Sequence, residues 1–205
     1  MVQRVLRNPK PRPRFIEPME CKRVAKLPEG DDWLYEIKQD GYRVIGLVDG
    51  STTLLYSMSG LDYTRQFPHI AFALKNLKES SVVLDGEIVA LDENGRARFQ
   101  ELQNRKSTQR PIIYYVFDVL HRDGRDLLDL PLTDRRKILQ SLGNRFSDPL
   151  RLNPVFRTPE LRTRLLAALG HIGMPIFFIH FENDYSLSAG KVLDAAASRS
   201  VSRIG

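Results

Sequence analysis

Glu36-Ile37-Lys38-Gln39-Asp40-Gly41-Tyr42-Arg43 sets a lysine beside a carboxylate, a turn dipeptide and an arginine. Just upstream, Trp33, Tyr35 and Ile37 alternate with Leu34, Glu36 and Lys38, so an extended strand puts Glu36 and Lys38 on one face and the other set on the opposite face. Asp40-Gly41 reads as a turn. Counting two-residue periods from it, Arg43 begins a second strand and can return toward Lys38. The residue types suit attack on a phosphate. A free lysine, with a pKa of about 10.4, is protonated near neutrality, so a lysine nucleophile needs desolvation or a neighbouring cation. Arg43 is such a cation, and its guanidinium fork matches a pair of phosphate oxygens. A surface hairpin with a charged tip uses the same residue types. Four fixed positions of this kind arise by chance in a chain of this length only roughly a few times in a thousand at average residue usage.

The pattern K-x-D-G-x-R at Lys38, Asp40, Gly41 and Arg43 resembles the first motif of the covalent nucleotidyltransferases: ATP-dependent DNA ligases, RNA ligases and messenger RNA capping enzymes. The flanks select among them. Phe15-Ile16-Glu17-Pro18-Met19, Leu27-Pro28 and Trp33 to Glu36 resemble the entry to the adenylation domain of bacterial ligases associated with Ku-dependent end joining. The similarity continues, in the family's order, through Ser57-Met58-Ser59-Gly60, Thr64 to Pro68, Leu84-Asp85-Gly86-Glu87, Tyr115 to Leu120 and Asp123 to Leu127.

The resemblance implies an α+β fold of antiparallel sheets packed with helices. It implies that Lys38 attacks ATP and carries AMP as a phosphoramidate before passing it to nicked or broken duplex DNA. Glu36, Ile37, Arg43, Glu87 and Phe117 would form the nucleotide site. Within it, Glu36 would read the adenine amino group, Phe117 would stack on the adenine ring, and Glu87 would serve the ribose or a bound Mg²⁺. Ku is the implied protein partner. Read without the resemblance, Glu87 shares a strand face with Val83, Asp85 and Val89, and two carboxylates among valines must meet solvent or cations. Phe117, with Tyr115 and Val119 on its face, reads as core. Two other readings keep the first motif: a capping-type guanylyltransferase, which the flanking blocks disfavour, and an inactive ligase-like module that binds nucleotide or DNA.

Departures from the family pattern matter as well. Met58 stands where the ligases usually carry an arginine after the serine. The E-G-x-x-x-K motif and the later strand bearing two lysines are missing: if Gly205 aligns with the motif's glycine, Ile204 occupies the glutamate position. The expectation is an adenylation domain truncated at its C-terminal side, without its last strands or the OB-fold domain, and with weak or absent self-adenylation.

Composition agrees with a globular nucleic-acid enzyme. The 205 residues are 42% hydrophobic, enough for an ordinary core, and no apolar run approaches the roughly 18 residues of a membrane span. With no apolar stretch after the basic N-terminus to make a signal peptide, a cytoplasmic setting is expected. The net charge of +6 and pI near 9.5 favour a polyanionic partner. Part of the excess sits at Arg4, Arg7, Lys10, Arg12 and Arg14 among prolines, so residues 1–14 read as a mobile arm and 15–205 as the domain. Cys21 reads as a packing residue. His69, His121, His171 and His180 show no metal-ligand spacing.

The pattern predicts strands over 42–48 and 52–57 joined at Asp49-Gly50, and a helix from Pro68 with Ile70, Ala73, Leu74 and Leu77 on one face. A strand over 82–91, a turn over 92–95, a short helix over 99–104 and a buried strand over 112–120 follow. Thr133 is expected to cap a helix carrying Ile138, Leu139 and Leu142. Further predictions are a helix opening at Thr158-Pro159, a buried strand over 175–181 and a final helix with Ala189, Val192 and Leu193.

Overall fold

The Lys38 segment does not form a hairpin. In the computed structural model, which describes residues 11–19, 34–105, 109–156 and 179–180, β1 (Leu34–Glu36) stops at Glu36 and β2 (Tyr42–Asp49) begins in another sheet. β1 lies in the middle of a small antiparallel sheet, between β8 (Val155–Phe156) and β9 (Ile179–His180). β2 is flanked by β3 (Thr52–Ser57) and β4 (Ser81–Ala90). Both edges of both strands are therefore taken, which leaves β1 and β2 no edge to pair through. Residues 37–41 instead cross from one sheet to the other.

The larger sheet follows the alternation of the sequence. β2 and β3 are antiparallel with Asp49 opposite Thr52, and Gly50 turns the chain at φ 58°, a left-handed conformation that favours glycine. β5 (Ile112–Arg122) pairs with β4, and the short β6 (Arg125–Asp126) pairs with β5 after a turn at Asp123 and Gly124. One strand departs from the antiparallel expectation. β7 (Leu150–Leu152) runs parallel to β5 because α3 (Leu132–Gly143) serves as the crossover between them.

Alternate residues sort to the two faces of this sheet. Val44, Val48, Leu84, Ile88, Tyr114 and Val116 join Ile70 and Leu74 of α1 (Pro68–Asn76) and Leu139 and Leu142 of α3 in the main core. Each such aliphatic side chain contributes about 1.5–3 kcal/mol by leaving water. On the opposite face Ile45, Leu47, Val83 and Leu120 pack against Ile16, while Phe15 sets its ring edge-on to Tyr56 at 5.5 Å. Arg14, placed in the expected arm, pairs with Asp126 at 3.1 Å.

α3 starts at Leu132, one residue before the expected cap. Pro131, at ψ 145°, ends the extended chain, and its carbonyl accepts the amides of Asp134 and Arg135, so Thr133 falls inside the first turn. α3 is held to β5 by Arg135, whose fork grips Asp118 at 3.0 Å in the interior. His121 of β5 has a structural role between Ser81 (2.8 Å) and Asp126 (2.7 Å), joining β4 to β6. α2 (Phe99–Gln103) is the short helix expected near there. Residues 1–10, Cys21, Trp33, the helix opening at Thr158, residues 175–178, Phe181 and the final helix lie outside the described residues.

Candidate active site

Lys38 sits on the crossing between the sheets, half-buried, and its ammonium reaches the Gln39 carbonyl at 3.5 Å. Its neighbours are anchored one by one. The Asp40 carboxylate accepts the Phe99 amide at 3.1 Å, tying the crossing to the first turn of α2. Gly41 passes so close to β4 that a Cβ would lie 2.1 Å from the Ile88 carbonyl oxygen, and its amide donates to Glu87 Oε1 at 3.1 Å. Glycine is required here by close approach.

Upstream of the lysine, Glu36 is buried but fully engaged. Oε1 pairs with Arg136 of α3 at 2.8 Å, and Oε2 accepts from Asn153 Nδ2 at 3.2 Å. Asn153 also donates to the Ile37 carbonyl at 3.2 Å and accepts from Gln39 Nε2 at 2.9 Å. Arg136 reaches the carbonyls of Phe117 and Asn153 as well. The basic pair Arg135-Arg136 thus holds two separate interior acids, Asp118 and Glu36.

The Arg43 fork, suggested by the sequence for a phosphate, meets an acid of β4. It binds Asp85 at two points, Nε to Oδ1 at 3.1 Å and Nη2 to Oδ2 at 2.8 Å, and Nη1 donates to the Met19 carbonyl at 2.7 Å. A buried guanidinium needs a carboxylate partner to offset its desolvation, and Asp85 is that partner. The cations foreseen for the Asp85 and Glu87 face are present, while the fork aimed at phosphate is committed inside the protein. Phe117 is 2% exposed, and the Arg43 guanidinium lies over its ring at 5.4 Å.

Glu87 shares the Arg43 and Asp85 face of the sheet. Burial raises its pKa to about 7, against the opposing pull of Lys38, the Gly41 amide and Arg43, with Asp85 adding to the rise. A carboxyl poised near neutrality beside a lysine is a common mark of a working site. Among the described residues no group of three or more acids, histidines or cysteines gathers to hold a metal. Mg²⁺ would fit Glu87 as the single protein carboxylate, with water and phosphate oxygens completing its shell, since Asp85 is already paired.

A family model for the ATP-dependent DNA ligase domain matches residues 18–162. The chain belongs to the ATP-dependent DNA ligase family. It is 40% identical over 146 residues to the multifunctional non-homologous end joining protein LigD of Pseudomonas aeruginosa, covering 70% of this chain and 17% of that one. In three dimensions it resembles the ligase domain of LigD from Mycobacterium tuberculosis, with TM-score 0.62 and 32% identity over 73% of this chain and 48% of the other. A mycobacterial DNA ligase D complexed with ATP and MES matches at TM-score 0.64 and 31% identity, over 76% of this chain and 50% of that chain. The α+β fold is therefore that of the ligase nucleotidyltransferase domain, and the chain spans half or less of each of these three relatives.

The fold brings Glu36, Ile37, Lys38, Arg43, Glu87 and Phe117, singled out in the sequence, to the junction between the two sheets. Asp85 as the partner of Arg43 is not legible in the sequence, and neither Arg136 nor Asn153 is singled out there. Arg136 looks like one more charge on a solvated helix face. Asn153-Pro154 carries only a turn signal. Met58, the departure in the second block, is exposed on the turn after β3.

Proposed function

We propose that this domain performs the nucleotide-charging step of ATP-dependent DNA ligation for the repair of broken duplex DNA. The Lys38 amine, having lost a proton, attacks the α-phosphate of ATP. A nitrogen–phosphorus bond forms, the bond to pyrophosphate breaks, and AMP remains on the lysine. It is then handed to a 5′-phosphate at the break and displaced by a 3′-hydroxyl. The carrying observation is that Lys38 is held on both sides, by Glu36, Ile37, Gln39, Asp40 and Gly41, while its own side chain stays partly open to solvent. Such positioning is the main source of rate in phosphoryl transfer.

Glu36, an acceptor, favours the amino group of adenine over the carbonyl of guanine, which supports ATP over GTP. Ile37 and Phe117 supply apolar surface for the base. Mg²⁺, when bound, neutralises phosphate charge; Glu87 is the residue that would hold it. The similarity to non-homologous end joining LigD proteins supports DNA ends as the acceptor; Ku as a partner and the cytoplasm as the setting are part of the same proposal. No helix among the described residues is long and apolar enough to cross a membrane.

The test is incubation with ATP labelled at the α-phosphate and Mg²⁺, followed by acid and alkali treatment. An acid-labile, alkali-stable label that disappears in Lys38→Ala is expected. No label, a label that persists without Lys38, or a preference for GTP overturns the proposal.

A further inference from the structure

We infer that Asn153 is a positioning residue for Lys38, clamping the chain on both sides of the lysine to the turn between β7 and β8. This rests on the nucleotide-charging role proposed for Lys38. All the hydrogen-bonding groups of Asn153 are engaged. Its amide donates to the Val116 carbonyl at 2.8 Å, and its own carbonyl accepts from Arg136 at 3.2 Å. With the backbone so held, the carboxamide faces the lysine segment. Oδ1 accepts from Gln39, and Nδ2 donates to both Glu36 and the Ile37 carbonyl. The residue is 2% exposed, so water does not compete for these bonds.

The topology explains why one asparagine can do this. The chain crosses between the two sheets at residues 37–41, where Lys38 sits, and again at 153–154, between β7 in the large sheet and β8 in the small one. Asn153 stands on the second crossing and bonds to the first. Asn153 therefore ties the segment on both sides of Lys38 to the second crossing, in addition to the Asp40–Phe99 and Gly41–Glu87 bonds. At this side-chain length no other residue offers the same pattern. Aspartate would replace the donor with a charge facing the Glu36 carboxylate and the Ile37 carbonyl, and alanine would remove every contact.

The experiment uses the full chain in four forms: wild type, Asn153→Ala, Asn153→Asp and Gln39→Ala, with the Asn153→Ala/Gln39→Ala double variant closing a cycle. Transfer of label from ATP to the protein is followed in a single turnover at saturating ATP, well below each variant's unfolding midpoint. Amide hydrogen exchange is measured in parallel on residues 36–41 and on β4. The expected result for Asn153→Ala is a fall in rate on the order of 10²-fold, the cost of a misplaced nucleophile, with a much smaller change in KM for ATP. Asn153→Asp falls at least as far, Gln39→Ala falls less, and the double variant is no slower than Asn153→Ala. Exchange rises over 36–41 and not in β4. Wild-type rates in Asn153→Ala, losses that follow only the folded fraction, or additive losses in the double variant overturn the inference. If Asn153→Ala does not fold, Gln39→Ala and Asn153→Asp decide on the same criteria. If wild type takes no label, the charging role fails, and the clamp is then judged by exchange alone: unchanged protection over 36–41 overturns it.

Discussion

Arg43 stands opposite Glu87 in the β2–β4 ladder yet gives its fork to Asp85, two residues along the same face, at 2.8 Å and 3.1 Å. The pairing leaves Glu87 to the Gly41 amide and to the lysine side of the site. It also joins Arg43 of the K-x-D-G-x-R motif and Asp85 of Leu84-Asp85-Gly86-Glu87 into one electrostatic unit. Asp85→Ala should strand a buried guanidinium and cost about 3–5 kcal/mol, whereas an Arg43→Met/Asp85→Leu double variant should lose much less. Urea unfolding of the variants checks this, and equal losses would count against the pair as described.

Close approach, rather than turn conformation, explains two glycines. A Cβ on Gly41 would meet the Ile88 carbonyl at 2.1 Å, and one on Gly86 would meet the Tyr114 ring and the Tyr115 carbonyl at 2.5 Å. Gly41→Ala should displace the lysine crossing and abolish labelling while most of the sheet survives. Gly86→Ala should lower the yield of folded protein, because Tyr114 is fully buried in the main core. Circular dichroism and labelling separate the two outcomes. By contrast Gly50, with nothing near its Cβ, should tolerate Asn with little loss, since asparagine adopts its positive φ.

Stability should depend on pH through Glu87. Its folded pKa of about 7 lies above the ordinary 4.5, so between those values the folded chain keeps a proton that the unfolded chain has released. The resulting stability is complete below the unfolded value and is lost as pH rises through the folded one. Glu87→Gln keeps an acceptor for Gly41 and removes the titration. It should match wild type at about pH 4 and exceed it by up to about 3 kcal/mol near pH 8. An offset that is the same at every pH would point to packing instead.

Arg136 joins α3 to β1, β5 and the β7–β8 crossing through Glu36, Phe117 and Asn153. Arg136→Met should cost about 3 kcal/mol, because it leaves a buried carboxylate without its cation. Where the variant still folds, its preference for ATP over GTP should narrow as Glu36 loses its fixed orientation. Competition labelling measures that ratio directly, and an unchanged ratio would mean that Glu36 does not read the base.

Much of the large sheet could be read locally. Asp49-Gly50, the alternation over 42–57, Pro68 at the start of α1 and the apolar run of β5 each act through neighbouring residues, so their signals survive without tertiary context. The start of α3 was displaced by two residues because Pro131, not Thr133, occupies the cap. The parallel strand β7 was not separable from its turn, being only three residues long.

At the site, the chemistry of Lys38, Asp40 and Gly41 was present in their order and types, since a nucleophile, an anchor and a close-packed glycine are each defined by a single residue. Their partners were not. Whether Arg43 meets a phosphate or Asp85, whether Arg136 faces water or Glu36, and whether Asn153 is a turn or a clamp depend on which strands share an edge. Ladder pairing and burial decide those questions, because a fork or a carboxamide takes its role from the groups placed against it. The sequence by itself determined the family and singled out Lys38 as the proposed nucleophile; the junction of two sheets decided what holds that lysine in place.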